Sequence, residues 1–398
     1  AYHLVSRSNN MDLPLAIGFN FLSSGVWEYF IEYREYVSLN DMVLTPVAGA
    51  AIGESAFQLG AFFGRSGDIV AYRVLSILFS PMQAFHDWLD DRPPRYDLER
   101  DAFGVAATVC YRFSLAAGFS HSLQDDKHAS SLELSLTGEL VGLSAYSRPG
   151  RQSGLTSDLN LIRFILRTSI GSGDVDRLMA GFRIAPLGYY YKDVRGEPEG
   201  GQRGQAVLLA LAPAYDYSLF NTSSFGDKFA IVHMPGLSLE WSGWSGAFRA
   251  RAQLNLFFDF ALVESLANGR YADGVAELGV KTVLSEQGYY YAYGASISPQ
   301  LLLSAENLEI GTLVKYHHFY SIDKFDRYQE EIVEEVHLED SHLLVRAWMA
   351  FSLGPMLPTI ETYLIKRIRT GRAESDQAHT FKADFEETVF GVDLQYRI

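Results

Sequence analysis

Glu54 is the first residue whose surroundings demand a chemical explanation: it is a carboxylate among Ala50, Ala51, Ile52, Ala56, Phe57 and Leu59. A charge on such an apolar helix must be neutral, paired or put to use. Pairing, with a lumenal arginine as one candidate partner, therefore competes with a ligand or proton role. Asp41 lies in the same N-terminal part, and Arg249 and Arg251 stand two residues apart, on one face of any extended strand. Glu54, Asp41, Arg249 and Arg251 are the candidate ligand-binding residues. No Gly-rich phosphate loop, no spaced pair of zinc histidines and no Gly-x-Ser-x-Gly elbow occurs. No catalytic residue, metal ligand or cofactor is therefore expected. His317 and His318 are adjacent and on a strand must face opposite ways. His86 and Asp87, near Gln83, read as a solvated helix face rather than a dyad. The acidic run from Asp323 to Asp340 could collect calcium, but it lacks the alternating oxygen ligands of a dedicated loop and reads as a solvated charge run. Cys110, the single cysteine, excludes an internal disulfide.

The elements that must position these groups are set by composition and period. The 398 residues are 48% hydrophobic and 14% aromatic, with 23 Tyr and 26 Phe, a richness that suits interfacial aromatic girdles. A net charge of -15 with no cluster of Lys and Arg excludes a nucleic-acid partner. The longest apolar stretch, Met42 to Gly64, contains Pro46, Glu54 and Gln58 and does not read as a spanning helix.

From about residue 100, apolar and polar residues alternate with period two. Phe248, Ala250, Ala252, Leu254, Leu256, Phe258 and Phe260 oppose Arg249, Arg251, Gln253, Asn255, Phe257 and Asp259. One face suits lipid and the other a lumen. The pattern predicts strands over 103–120, 130–146, 155–170, 175–192, 203–219, 228–243, 247–262, 288–304, 307–321, 341–354, 358–370 and 380–398. The fold class is thus an all-β membrane protein, an antiparallel transmembrane barrel of about twelve strands occupying 96–398. In the second half, tight turns at 243–246, 305–307 and 354–357 alternate with long loops at 262–287, 321–340 and 371–379. In the first half the rule breaks, since 171–174 is short on the outer side and 195–203 long on the inner side. Arg163, Arg167, Arg183, Arg249, Arg251, Arg346 and Lys366 are expected to face the lumen and meet Glu133, Glu139, Glu240 and Asp259. The last strand alternates Phe390, Val392, Leu394 and Tyr396 with Gly391, Asp393, Gln395 and Arg397, similar to the signal read by the barrel assembly machinery.

Residues 1–95 read instead as an apolar helical segment. Thr45-Pro46 predicts a capped start to a helix through Phe63, with further helices over 68–79 and 82–89. Gly49 and Gly53 form a pair that would admit a close backbone. Because a barrel of about twelve strands has a narrow lumen, these helices are expected to plug or cap it.

The run Trp27-Glu28-Tyr29 with Glu32, then Ser38-Leu39-Asn40-Asp41, Thr45-Pro46, Gly49, Ala51 and Gly53-Glu54, resembles the N-terminal signature of the outer-membrane family called domain of unknown function 3943. The resemblance implies an outer-membrane location and further sequence before Ala1. It implies no activity. Both termini are expected in the periplasm. Two functions stay open: binding or transport of an apolar or lipid-like ligand, and anchoring within an envelope complex through a periplasmic or envelope protein partner. A barrel-borne lipid hydrolase is a third reading, suggested by strand count alone. Outer-membrane lipids are expected partners in each.

Overall fold

The computed structural model describes residues 2–32, 40–93, 96–101, 104–106, 108–124, 127–143, 146, 148–156, 160–171, 174–196, 201–221, 226–264, 289–322, 336–353, 358–375 and 380–397. Five helices come first: α1 Tyr2–Ser8, α2 Leu13–Val26, α3 Thr45–Arg65, α4 Val70–Phe79 and α5 Pro81–Leu89, with short π-helical stretches at Trp27–Ile31 and Asn40–Leu44. Then follow β1 Cys110–Gln124, β2 Lys127–Val141, β3 Gly150–Thr156, β4 Leu161–Gly171, β5 Asp174–Ala185, β6 Leu187–Arg195 and β7 Gln202–Asn221. The rest are β8 Gly226–Gly246, β9 Phe248–Glu264, β10 Tyr290–Ala305, β11 Leu308–Ser321, β12 Val336–Ser352, β13 Thr359–Ser375 and β14 Thr380–Arg397.

These fourteen segments make a closed barrel of twelve staves. Antiparallel pairing runs β1-β2-β4-β5-β7-β8 and on through β14, and β14 returns to β1 with Leu115 opposite Tyr396 and Ala117 opposite Leu394. β5 and β6 act as one stave, interrupted at Pro186, which has no N–H for the ladder. β5 pairs with the second half of β7, around Tyr215, and β6 with the first half, around Leu208. β3 then pairs with β6 and extends the wall at the rim where β1 starts and β14 ends, called here the terminal rim. The predicted barrel is therefore observed, with local corrections. β1 begins at Cys110 rather than 103, and β2 ends at Val141. The uneven turns of the first half are real: β4 and β5 join tightly at Gly171 and Asp174, and the 195–203 connection lies at the terminal rim.

Alternation along each stave sorts residues between two solvents. Leu115, Phe258, Ile310, Phe351, Val392 and Leu394 are exposed on the outer wall, whereas Asp259, His317, Asp340, Arg369, Glu387 and Asp393 are buried inside. Lys366 is corrected: it stands outside, paired with Glu386 at 2.7 Å, and its neighbours Arg367 and Arg369 face the lumen.

The helices are the larger correction, because they lie outside the barrel instead of plugging it. On β4, Arg163 faces the lumen, so Ile162 faces out, and the same parity puts Leu140, Ile184 and Val232 on the outer wall. Phe62 of α3 packs against Leu140, Ile162 and Ile184, while Val47 and Ala48 pack against Val232 beside Tyr215. The ladder aligns Phe113, Gly138, Phe164, Phe182, Tyr215 and Val232 in a single row perpendicular to the strands. Six adjacent strands span about 24 Å, and Val47 to Phe62 spans about 22 Å of helix. α3 is thus a strap laid along that row. Gly138 sits where a Cβ would come within 2.2 Å of the Phe164 ring.

Two further differences concern the helices themselves. α1 and α2 precede the three predicted, and Thr45 does not cap α3 but lies inside it, its hydroxyl donating to Asp41 at 3.1 Å.

Placing a charge on the outer face of the closing strand should block assembly. Leu394→Asp is expected to cost less than the roughly 2–4 kcal/mol of a lipid-facing Arg or Lys at mid-depth, yet still to abolish the heat-modifiable band on mildly denaturing gels. Asp393→Asn, on the lumenal side, should retain that band; equal behaviour of the two would mean the register is off by one residue.

Candidate functional site

The four candidate residues fall in two separate places. Glu54 and Asp41 belong to the helical collar on the outer wall, and Arg249 and Arg251 to the lumen.

In the collar, Glu54 is paired, and its partners come from α1 rather than from a lumenal arginine. Arg7 donates through Nε at 2.8 Å and Nη2 at 3.1 Å, Gln58 donates at 2.7 Å, and the His3 Nε2 lies 2.8 Å away. The other His3 ring nitrogen meets the Asn20 amide of α2 at 3.1 Å. A Cβ at Gly53 would lie 2.9 Å from the His3 side chain, so that glycine lets α1 approach, whereas Gly49 has nothing near it. Asp41 is structural as well, accepting from Thr45 and, through its carbonyl, from Ser24. The collar is inside out by the standards of a water-soluble bundle: His3, Ser6, Asn20, Ser24, Glu54 and Gln58 are buried. Leu22 (64% exposed), Phe30 (74%), Val70 (76%) and Trp88 (75%) point away.

The lumen is crossed by side chains at three levels. Furthest from the terminal rim, Arg369 on β13 reaches β8, with Nε 3.1 Å and Nη2 3.3 Å from Asp227, and also bonds Asp340 of β12 at 2.6 Å. Its guanidinium lies 4.2 Å from the Phe229 ring centre, and Arg367 lies 3.5 Å from that of Phe220, on the opposite stave. Phe229, Tyr290, Phe319 and Leu338 complete a buried apolar layer. In the middle, His233 sits between Asp259 at 2.6 Å and Asp216 at 3.3 Å, and Lys315 reaches Asp216 at 2.9 Å. Ser296 links Asp259 to His317, whose Nδ1 is 2.7 Å away. Phe257, which the alternation assigns to the polar row, fills the lumen 4.7 Å beneath the His233 ring.

Nearer the terminal rim, Glu139 and Glu240 share Arg163 and Arg251. Arg251 bonds Glu139 at 3.1 Å and Glu240 at 3.0 Å, and Tyr146 donates to Glu240 at 2.6 Å. Tyr146, read in sequence as strand, has instead turned inward. Arg249 stacks over Trp244 at 5.0 Å. Elsewhere Arg167 meets Asp393 at 3.3 Å, and Arg346 meets Glu361. A cavity of about 320 Å3 remains between these groups, with Arg112, Glu309 and Arg397 towards the terminal rim. Sequence reasoning selected Arg251 but missed Arg112, Arg397, Glu309 and Glu361, whose only signal was their place in the polar row.

Removing the collar's central charge should loosen it. Glu54→Leu leaves Arg7 and His3 without their carboxylate partner, a loss of about 3 kcal/mol for a broken buried pair, and limited proteolysis between Asp41 and Arg92 should then outpace barrel cleavage. Glu54→Gln should show a smaller acceleration. Identical digestion of wild type and both variants would show that Glu54 holds nothing in place.

Residues 1–82 match the family described as Domain of unknown function (DUF3943). No curated protein sequence matches the chain. Among solved structures, the Pseudomonas putida toluene transporter TodX is similar at 9% identity, covering 73% of this chain and 88% of its own, with a TM-score of 0.23. The outer membrane channel DcaP of Acinetobacter baumannii aligns at 8% identity over 76% of this chain and 100% of its own, TM-score 0.21. The Vibrio cholerae outer membrane protein OmpT aligns at 9% identity over 73% and 99%, TM-score 0.17. The segment that matches this family model, residues 1–82, contains the helix that straps the outside of a twelve-stranded transmembrane barrel.

Proposed function

We propose that this chain is a ligand-binding barrel of the bacterial outer membrane, closed to free diffusion, with its working site in the arginine-lined cavity on the terminal, periplasmic side. The observation that carries this reading is the Arg369 layer. Its guanidinium, 2% exposed in the side chain, bridges nearly opposite staves and lies against the Phe229 ring. On this reading such a layer blocks the lumen among the described residues, and the cavity below it is a blind pocket. The cavity is lined mostly by charged and polar side chains, which disfavours the wholly apolar cargo expected from the sequence. A hydrolase reading gains nothing from Ser296 and His317, because both are enclosed within the closed lumen.

Reconstituted in planar bilayers, the wild-type protein should show no sustained single-channel conductance. Replacing the layer with Phe229→Ala and Arg369→Ala together should produce resolvable openings. Steady conductance by the wild type would overturn the closed-barrel reading.

The collar supports membrane insertion in a second way. Its exposed apolar faces continue the apolar outer wall, and we assign them to the acyl chains of the same leaflet. Brominated acyl chains should quench Trp88, and the Trp88→Phe variant should lose that share of the quenching. An anchoring subunit would bury this face under a protein partner, and quenching would then be absent in native membranes.

A further inference from the structure

We infer that the blind cavity is a site for a small organic oxyanion, a carboxylate carried on an apolar or aromatic body. The inference rests on the closed-barrel reading and adds the ligand's chemistry.

The lining is cationic in a chain whose net charge is -15. Arg112, Arg163, Arg167, Arg251, Arg346 and Arg397 face it, against Glu139, Glu309 and Glu361, while Glu240 and Asp393, outside the lining, also pair with Arg163, Arg251 and Arg167. The glutamates are spent on arginines: Glu139 on Arg163 and Arg251, Glu309 on Arg397 at 3.3 Å, and Glu361 on Arg346. Arg112 has no ion pair among the described residues. The Nε groups of Arg167 and Arg346 are buried without a hydrogen-bond partner, which is costly for a charged donor unless an acceptor arrives. Planar guanidinium forks match a carboxylate in both geometry and charge.

The opposite wall is of another kind. Leu302 on β10, Gly311 on β11 and Trp348 on β12 are aligned by the ladder, and Leu313 stands beside them. A Cβ at Gly311 would fall 2.1 Å from the Trp348 ring, so the indole lies over that glycine on the cavity wall. β4, which carries Arg163 and Arg167, lies across the barrel from β11. A ligand between the two walls would meet Arg163 and Arg167 on one side and, on the other, an aromatic and aliphatic surface with the Arg346 guanidinium beside the indole, 5.3 Å from its ring centre. The cavity, about 320 Å3, is at the small end of ligand pockets.

The test uses the full chain refolded in detergent, titrated calorimetrically with benzoate and, separately, with inorganic phosphate. Benzoate should bind saturably, and Arg112→Gln, a mouth residue with no structural partner to unfold, should weaken it by about tenfold, one charge-assisted contact. Arg372→Gln, on the exposed far end of β13, should leave it unchanged. Phosphate should bind at least tenfold more weakly than benzoate, because it gains nothing from Trp348. No benzoate binding, equal binding to Arg112→Gln, or phosphate binding as tight as benzoate would each overturn the inference. A protein that fails here yet stays non-conducting keeps the closed-barrel reading and loses only this ligand class.

Discussion

Closure of the ladder between β14 and β1 is the constraint on which everything else depends. Twelve paired staves leave no free edge in a medium that cannot hydrogen-bond, and closure fixes which side of every strand is inside. Once Leu394 is out, Asp393 is in, and so for each neighbour around the ring. The inward polar rows then confront one another across a narrow space with little water, so their charges must be matched by groups on distant staves. Arg369 with Asp227, Arg251 with Glu139 and Arg177 with Glu387 are products of that confinement. On the proposed closed-barrel reading, occlusion follows from barrel size and residue choice together, with none of the described helices in the lumen.

The same parity explains where the helices went. With the lumen taken up by ion pairs, the apolar N-terminal segment has its complementary surface on the outer wall, where lipid would otherwise lie. Small residues on α3, such as Ala48, Ala51 and Ser55, are buried in the packed helix, and Phe62 seats among aromatic neighbours including Tyr111 and Phe113. Polar groups of the collar cannot face either wall or lipid, so they face each other, and Glu54 with Arg7 and His3 forms their centre.

Much of this was legible in sequence, for specific reasons. A two-residue period over Phe248–Phe260 or Phe390–Tyr396 reports two unlike solvents directly, so the strands and the barrel could be read. Partners could not, because Arg369 and Asp227 are 142 residues apart and nothing local links them. The position of α3 was hidden for a different reason: an apolar helix face suits a lumen, a barrel wall or an acyl chain equally. α1 and α2 escaped notice because α1 is only seven residues long and α2 is apolar nearly all round, leaving no period to read. Arg251 could be picked as lumenal, but the blind cavity arises from closure above and an indole opposite, neither of which any one strand encodes.

The strap α3 also sets an order of events. Its seat is a row assembled from residues as far apart as Phe113 and Val232, and that row exists only after six staves have paired in register. A helix that precedes every strand in the sequence is therefore last to find its place. Until then its greasy faces have no permanent neighbour, and during transit it needs a temporary host. Once seated, a rigid rod lying across the grain of the sheet resists flexing of the wall from strand to strand, a deformation that leaves the hydrogen-bonded ladders intact and is otherwise easy.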